Sequence, residues 1–154
     1  TTSKRQWKKS NSYERKFNIL QRQFHAEAPN CVWVSDVTCI KLKDRYYYLC
    51  AIVDLYSRKV IAHKVSTRNS TQLITATLRM AYDARMPGEN LIFHSDQGSQ
   101  YTSQEFHQLL KKLKITQSFS NAGTPHDNAV MESSFAVFKK EEFYRSAYRS
   151  EAEL

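Results

Sequence analysis

The apolar pattern of the sequence predicts a mixed α/β fold, a five-stranded sheet with helices packed against it. Three runs rich in β-branched and aromatic residues follow one another with only short polar turns between them. The spacing of apolar residues then changes to a helical one. From there strand-like and helix-like stretches alternate, giving the order β-β-β-α-β-α-β-α.

Val32 to Ile40 has the composition of a strand, and Lys43-Asp44-Arg45 that of a polar turn. Tyr46 to Val53 reads as a second, largely buried strand, Asp54 to Arg58 as a turn, and Lys59 to Val65 as a third strand. Such short connections imply an antiparallel meander. Asn69 and Gln72 resemble a capping pair ahead of a helix whose face carries Leu73, Ile74, Thr77, Leu78 and Ala81, and Pro87-Gly88 ends it. Leu91 to His94 is a short strand and Gln97-Gly98-Ser99 a turn. Thr102 and Glu105 have the form of a capping box before the stripe Phe106, Leu109, Leu110 and Leu113. Lys114 to Phe119 supplies the last strand. Residues 121–127 form a loop on composition, and Asn128 to about Tyr144 is helical, with Met131, Phe135, Phe138 and Glu142 near one face.

No apolar run approaches the roughly 18 residues of a membrane span, and the polar, basic N-terminus lacks the apolar core of a secretory signal. The expectation is a cytoplasmic protein without membrane contact. Cys31, Cys39 and Cys50 lie in strand-like segments without zinc-ligand spacing, which fits reduced core thiols. The net charge of +8 suits a polyanionic partner, since each neutralised phosphate releases counterions. Residues 1–29 hold seven Lys and Arg against Glu14 and Glu27 and show no hydrophobic period, so they read as a basic linker or a DNA-tracking arm. Residues 30–154 are then the folded core.

Three carboxylates stand out by position. Asp36 lies within an apolar strand, where an ionised side chain is costly without a partner. Asp96 follows a strand at its C-terminal end, where ligands of α/β sheets usually bind. Glu132 is on the last helix, beside its apolar stripe. Each has an ordinary alternative as a turn former, a hydrogen-bonded strand residue or a surface charge. Asp54 ends a strand much as Asp96 does. Converged, the three would make an oxygen-only site suited to Mg²⁺ or Mn²⁺.

Interval and flanking words narrow the choice. Thirty-five residues separate Asp96 from Glu132. Trp33-Val34-Ser35-Asp36-Val37-Thr38, His94-Ser95-Asp96-Gln97-Gly98-Ser99-Gln100-Tyr101 and Asp127-Asn128-Ala129-Val130-Met131-Glu132-Ser133 resemble the three acidic motifs of the DDE-type integrases and transposases. Val53 to Arg58 matches a turn of the same superfamily. The resemblance runs from about Phe24 to the end and is closest to bacterial insertion-sequence transposases whose catalytic polypeptide comes from a second reading frame.

This resemblance implies a ribonuclease H-like fold with helices on both faces of the sheet. It also implies that Asp36, Asp96 and Glu132 are catalytic and hold two Mg²⁺ or Mn²⁺ ions. Lys139, seven residues beyond Glu132, matches a basic position that approaches the DNA end in related integrases. Lys140 and Asn128 are further DNA-contact candidates, although helix capping is the simpler role for Asn128. Residues 121–127 occupy the place of the active-site loop, and His94 and His126 read as surface or supporting residues. Lys111, Lys112 and Lys114 are accounted for by the helix dipole, with nucleic-acid contact as the alternative. The implied activity is phosphodiester hydrolysis at element ends followed by strand transfer into target DNA, by a homo-oligomer assembled on DNA. A nuclease that only hydrolyses and an inactive DNA-binding or assembly module remain alternatives. With no recognisable helix-turn-helix, sequence-specific DNA recognition is expected outside these residues, and the core reads as C-terminally truncated.

Overall fold

The central position in the sheet falls to the strand with the densest apolar start, Val32-Trp33-Val34. In the computed structural model, which describes residues 26–120, five strands pair in the order β3-β2-β1-β4-β5. β1 (Val32–Leu42), β2 (Arg45–Asp54) and β3 (Lys59–Ser66) form the expected antiparallel meander. The first hairpin closes over Lys43 and Asp44, both left-handed (φ 49° and 66°), the backbone a two-residue hairpin loop favours. α1 (Thr71–Arg85) carries the chain across to β4 (Ile92–Ser95), which lies parallel to β1. α2 (Gln104–Lys112) then leads to β5 (Thr116–Phe119), parallel to β4.

Strand alternation divides the sheet into two chemically different faces. Trp33, Cys50, Ile52, Ala62 and Phe93 point to one side, where Leu73, Ile74, Leu78 and Ala81 of α1 and Phe106, Leu109 and Leu110 of α2 complete the main core. Full burial of each larger apolar side chain contributes about 1.5–3 kcal/mol, so this one cluster dominates folding. Phe93, Tyr101 and Phe106 meet as a tilted, edge-on trio with ring centroids 5.4–6.2 Å apart. Both described helices therefore cover the same face. The opposite face carries Val32, Val34 and Leu55 in one cluster and Ala51, Val53 and Val60 in another. The helix expected from Asn128, which would make the fold two-sided, lies outside the described residues.

Several local expectations need correction. Ser70, not Asn69, caps α1: its Oγ accepts from the Leu73 N–H at 3.4 Å, one residue nearer the first turn. Ser103, not Thr102, caps α2, accepting from the Phe106 N–H at 3.2 Å. Thr102 instead turns its hydroxyl back to the Gly98 and Ser99 carbonyls and closes the preceding turn. Leu113 is the C-cap of α2 and, partly buried, still packs against the main core as the stripe predicts. Of the three free thiols only Cys50 is a core residue. Cys39 is exposed because the β1–β2 hairpin runs on past the part of the sheet that the helices cover. Of the two roles expected for His94, its burial leaves the supporting one.

Asp54 proves to be structural. It is fully buried, and its Oδ2 accepts from the Asn30 N–H and its Oδ1 from the Tyr56 N–H, each at 2.9 Å. The carboxylate thereby ties the chain entering β1 to the turn leaving β2. Asp54→Ala is expected to lower unfolding free energy by about 3 kcal/mol, because two backbone donors lose a charged acceptor, with a smaller loss for Asp54→Asn. Urea denaturation followed by circular dichroism measures both. In the same assay Ser70→Ala should cost about 1 kcal/mol and Asn69→Ala almost nothing; the reverse order would contradict the assigned cap.

Candidate active site

The pairing of β1 with β4 places the two aspartates. Val32, Trp33 and Val34 lie opposite Ile92, Phe93 and His94, a constant offset of sixty positions. Asp36 lies two residues beyond Val34 on β1, and Asp96 two residues beyond His94, in the turn just after β4 ends at Ser95. Asp36 alternates with Val34 and Asp96 with His94, so both carboxylates leave the sheet on the face away from α1 and α2. Neighbouring strands lie about 4.8 Å apart, close enough for two carboxylates to share one cation. β4 ends at Ser95 while β1 continues to Leu42, and the site opens where the two strands part. That is the carboxyl-end crevice in which α/β sheets bind ligands.

The immediate surroundings fix the aspartates differently. Asp36 is half-buried, and its Oδ1 accepts from the Val37 N–H at 2.9 Å. Asp96 is exposed, and its Oδ1 accepts from the Gly98 N–H at 2.8 Å. A Cβ on residue 98 would lie 2.9 Å from that same Oδ1, so only glycine lets the turn close on the carboxylate. Tyr101 and Thr102 both donate backbone N–H groups to the Gly98 carbonyl at 3.0 Å, and the Gln97 side-chain amide donates to the Ser120 carbonyl at 3.1 Å. The turn after Asp96 is thus held at both ends.

Directly behind the aspartates is a buried polar cluster that the sequence reading passed over. Ser35 Oγ and Tyr101 Oη are 2.8 Å apart, and Cys50 Sγ lies 3.7 Å from the serine hydroxyl. Burial pushes the Tyr101 hydroxyl pKa well above its ordinary value; the Cys50 thiol adds to this, the Ser35 hydrogen bond opposes it, and the charges of Asp36 and Asp96 raise it further. Burial also pushes the Cys50 thiol up against hydrogen bonds from Thr77, Ser35 and Tyr101, as befits an inert core thiol. The detectable signals were a serine at a core-facing position of β1 and a tyrosine five residues after Asp96.

Other expectations fare variously. His94 Nδ1 and Ser118 Oγ are 2.8 Å apart across β4 and β5, so this imidazole supports the sheet beside the site. Lys111 and Lys112 stand in the last turn of α2, which leads to the start of β5, the sheet end opposite the aspartates. Lys114, just beyond the helix, pairs with Glu89 at 3.0 Å on the surface. Glu132, Asn128, Lys139, Lys140 and His126 lie outside the described residues. Among the described residues no group of three His, Cys, Asp or Glu side chains could hold a metal, and no helix is long and apolar enough to cross a membrane.

Comparison with known proteins agrees with this layout. The family model described as integrase core domain matches residues 26–125. The chain is 36% identical over 136 residues to the transposase for insertion sequence element IS904 of Lactococcus lactis, an overlap covering 88% of this chain and 54% of that protein. It is 38% identical over 137 residues to the putative transposase InsK for insertion sequence element IS150 of Escherichia coli, covering 89% and 48%. The chain thus spans about half the length of the curated relatives it matches. A chain of the simian T-cell lymphotropic virus intasome superposes with a TM-score of 0.69 at 22% identity, covering 80% of this chain and 43% of that one. The HTLV-2 integrase catalytic core domain, solved in complex with magnesium, gives a TM-score of 0.54 at 25% identity, covering 60% and 62%. Sheet order and these superpositions make the fold ribonuclease H-like. With its family model matched across both aspartate motifs, this chain belongs to the integrase core domain family.

Proposed function

We propose that this chain is the catalytic core of a DDE transposase that acts on DNA by divalent-metal-dependent phosphodiester chemistry. The observation that carries the reading is the placement of Asp36 on β1 and of Asp96 just past the end of β4, each two residues beyond the paired Val34 and His94, where the two strands part. Two adjacent carboxylates repel each other unless a cation lies between them. The donors there are hard oxygens, with His94 turned to Ser118 and Cys50 on the other face, a set that fits Mg²⁺ or Mn²⁺. Bound metal supplies Lewis-acid activation of the attacking oxygen and stabilises charge on the leaving one.

In this reading Glu132 completes the triad, and the site holds two ions. Asn128, Lys139 and Lys140 contact the DNA end, and residues 1–29 form a basic linker or arm ahead of the core. The protein's own residues hold and orient the metal and the DNA backbone. One site then serves both hydrolysis at the element end, freeing a 3′-hydroxyl, and transfer of that end into target DNA. No side chain becomes covalently linked to DNA. The partners are element and target DNA in the bacterial cytoplasm, with the protein acting as a homo-oligomer assembled on them. Recognition of the terminal repeats belongs to the remainder of a longer transposase.

The test is Mn²⁺- or Mg²⁺-dependent joining of a labelled oligonucleotide end by this chain. Asp96→Asn should reduce joining by roughly two orders of magnitude or more, the scale set by removing one electrostatic stabiliser of a developing charge. Unchanged activity in that variant would remove the basis of the proposal, and cleavage without joining would favour a hydrolysis-only nuclease. Gly98→Ala, which drives a methyl against the Asp96 carboxylate, should lower metal affinity about tenfold without unfolding the chain. Water-proton relaxation with Mn²⁺ reads that affinity directly.

A further inference from the structure

The carboxylates of Asp36 and Asp96 sit on strands joined by backbone pairing only as far as Val34 and His94. Beyond that point β1 keeps its pairing with β2, whereas β4 gives way to the turn containing Gly98. Something else must therefore set the distance between the two aspartates. The one side-chain hydrogen bond among the described residues that joins β1 to that turn is Ser35 Oγ with Tyr101 Oη, at 2.8 Å and fully buried. Ser35 immediately precedes Asp36. Tyr101 closes the turn that begins at Asp96, with its N–H on the Gly98 carbonyl, and Gly98 in turn donates to Asp96 Oδ1. Three hydrogen bonds, joined by the backbone from Ser35 to Asp36 and by the Tyr101 and Gly98 residues themselves, thus connect one aspartate to the other.

Resting on the metal-dependent reading above, we propose that Tyr101 is a positioning residue, whose hydroxyl holds Asp36 and Asp96 at metal-binding separation through Ser35. It lies on the helix side of the sheet and touches neither metal nor DNA. Its ring is fixed independently by Phe93 and Phe106, and its carbonyl accepts from the Gln117 amide at 2.8 Å. Removing the hydroxyl alone therefore leaves the aromatic packing in place and releases its bond to Ser35 on β1 and its longer contact with Cys50 on β2. A ligand-orienting contact of this kind acts on metal affinity, and its loss typically weakens binding by about 10–100-fold.

The experiment titrates Mn²⁺ into the full 154-residue chain by water-proton relaxation, using wild type, Tyr101→Phe, Ser35→Ala, the double variant and Asp96→Asn, with circular dichroism melts of each. Tyr101→Phe and Ser35→Ala are each expected to bind Mn²⁺ about tenfold more weakly while folded, and the double variant no more weakly than either. Joining activity of Tyr101→Phe should recover at saturating Mn²⁺, whereas that of Asp96→Asn should not. A purely structural hydroxyl would lower the melting temperature and leave Mn²⁺ affinity unchanged. Wild-type affinity in a folded Tyr101→Phe or Ser35→Ala variant, alongside weakened binding by Asp96→Asn, overturns the positioning role. Wild-type affinity in Asp96→Asn overturns instead the metal site on which that role rests.

Discussion

Parallel pairing of β1 with β4 is the constraint on which the rest of the structure depends. It joins segments some sixty residues apart, and its register decides whether Asp36 and Asp96 leave the sheet on the same face. A slip of one residue would turn one aspartate to the helix side and bring an apolar side chain into the site. The register is protected by burial. Trp33 and Phe93 are fully enclosed on one face, and Val32 and Val34 are buried on the other. Any shift would expose aromatic and branched side chains on both faces at once, at a cost of several kcal/mol.

The same alternation separates stability from chemistry. The helix-covered face has its core from Trp33, Phe93, Phe106 and Leu78, and its few polar groups, Ser35, Tyr101 and Thr77, are bonded to protein partners. The opposite face bears the carboxylates, with small or modest residues such as Ala51 and Val53 on the neighbouring strand. Charge on that side does not disturb the main core, and core packing on the other holds the charged groups still. Residues two apart along one strand can thus be a core anchor and a carboxylate bearer, as Val34 and Asp36 are.

Much of this was legible in the sequence, for physical reasons that can be named. The meander showed in three β-branched runs with short turns, and the second half in alternating strand and helix periods. The choice of Asp36 and Asp96 as candidate site residues came from interval and flanking words rather than from burial, since Asp54 matched Asp96 in strand-end position. What escaped was contact over long sequence distances. The Ser35–Tyr101 bond spans 66 positions and leaves no periodic trace, because one hydroxyl in a strand and one tyrosine after a turn are each commonplace. Cap identity was missed by one residue at both helices, as expected where Asn69-Ser70 and Thr102-Ser103 offer adjacent oxygens of similar capping strength. The exposed hairpin end was missed because apolar alternation continues through Ile40 and Leu42, beyond the helix-covered sheet.

Asp54 and Asp96 together show what separates a structural carboxylate from one available for chemistry. Both end strands beside tight turns, and both accept a hydrogen bond from the backbone two residues on. Asp54 spends its second oxygen on Asn30 and is closed off from solvent, so its charge is already met by fixed donors. Asp96 is exposed, and its carboxylate takes only the Gly98 donor among the described residues. One oxygen orients the group while the other stays open to a ligand. Asp36, half-buried, accepts from the Val37 N–H with its Oδ1. Asp54, with donors on both oxygens, gains nothing from a bound cation. Availability of an oriented oxygen, more than strand-end position, distinguishes the two residues.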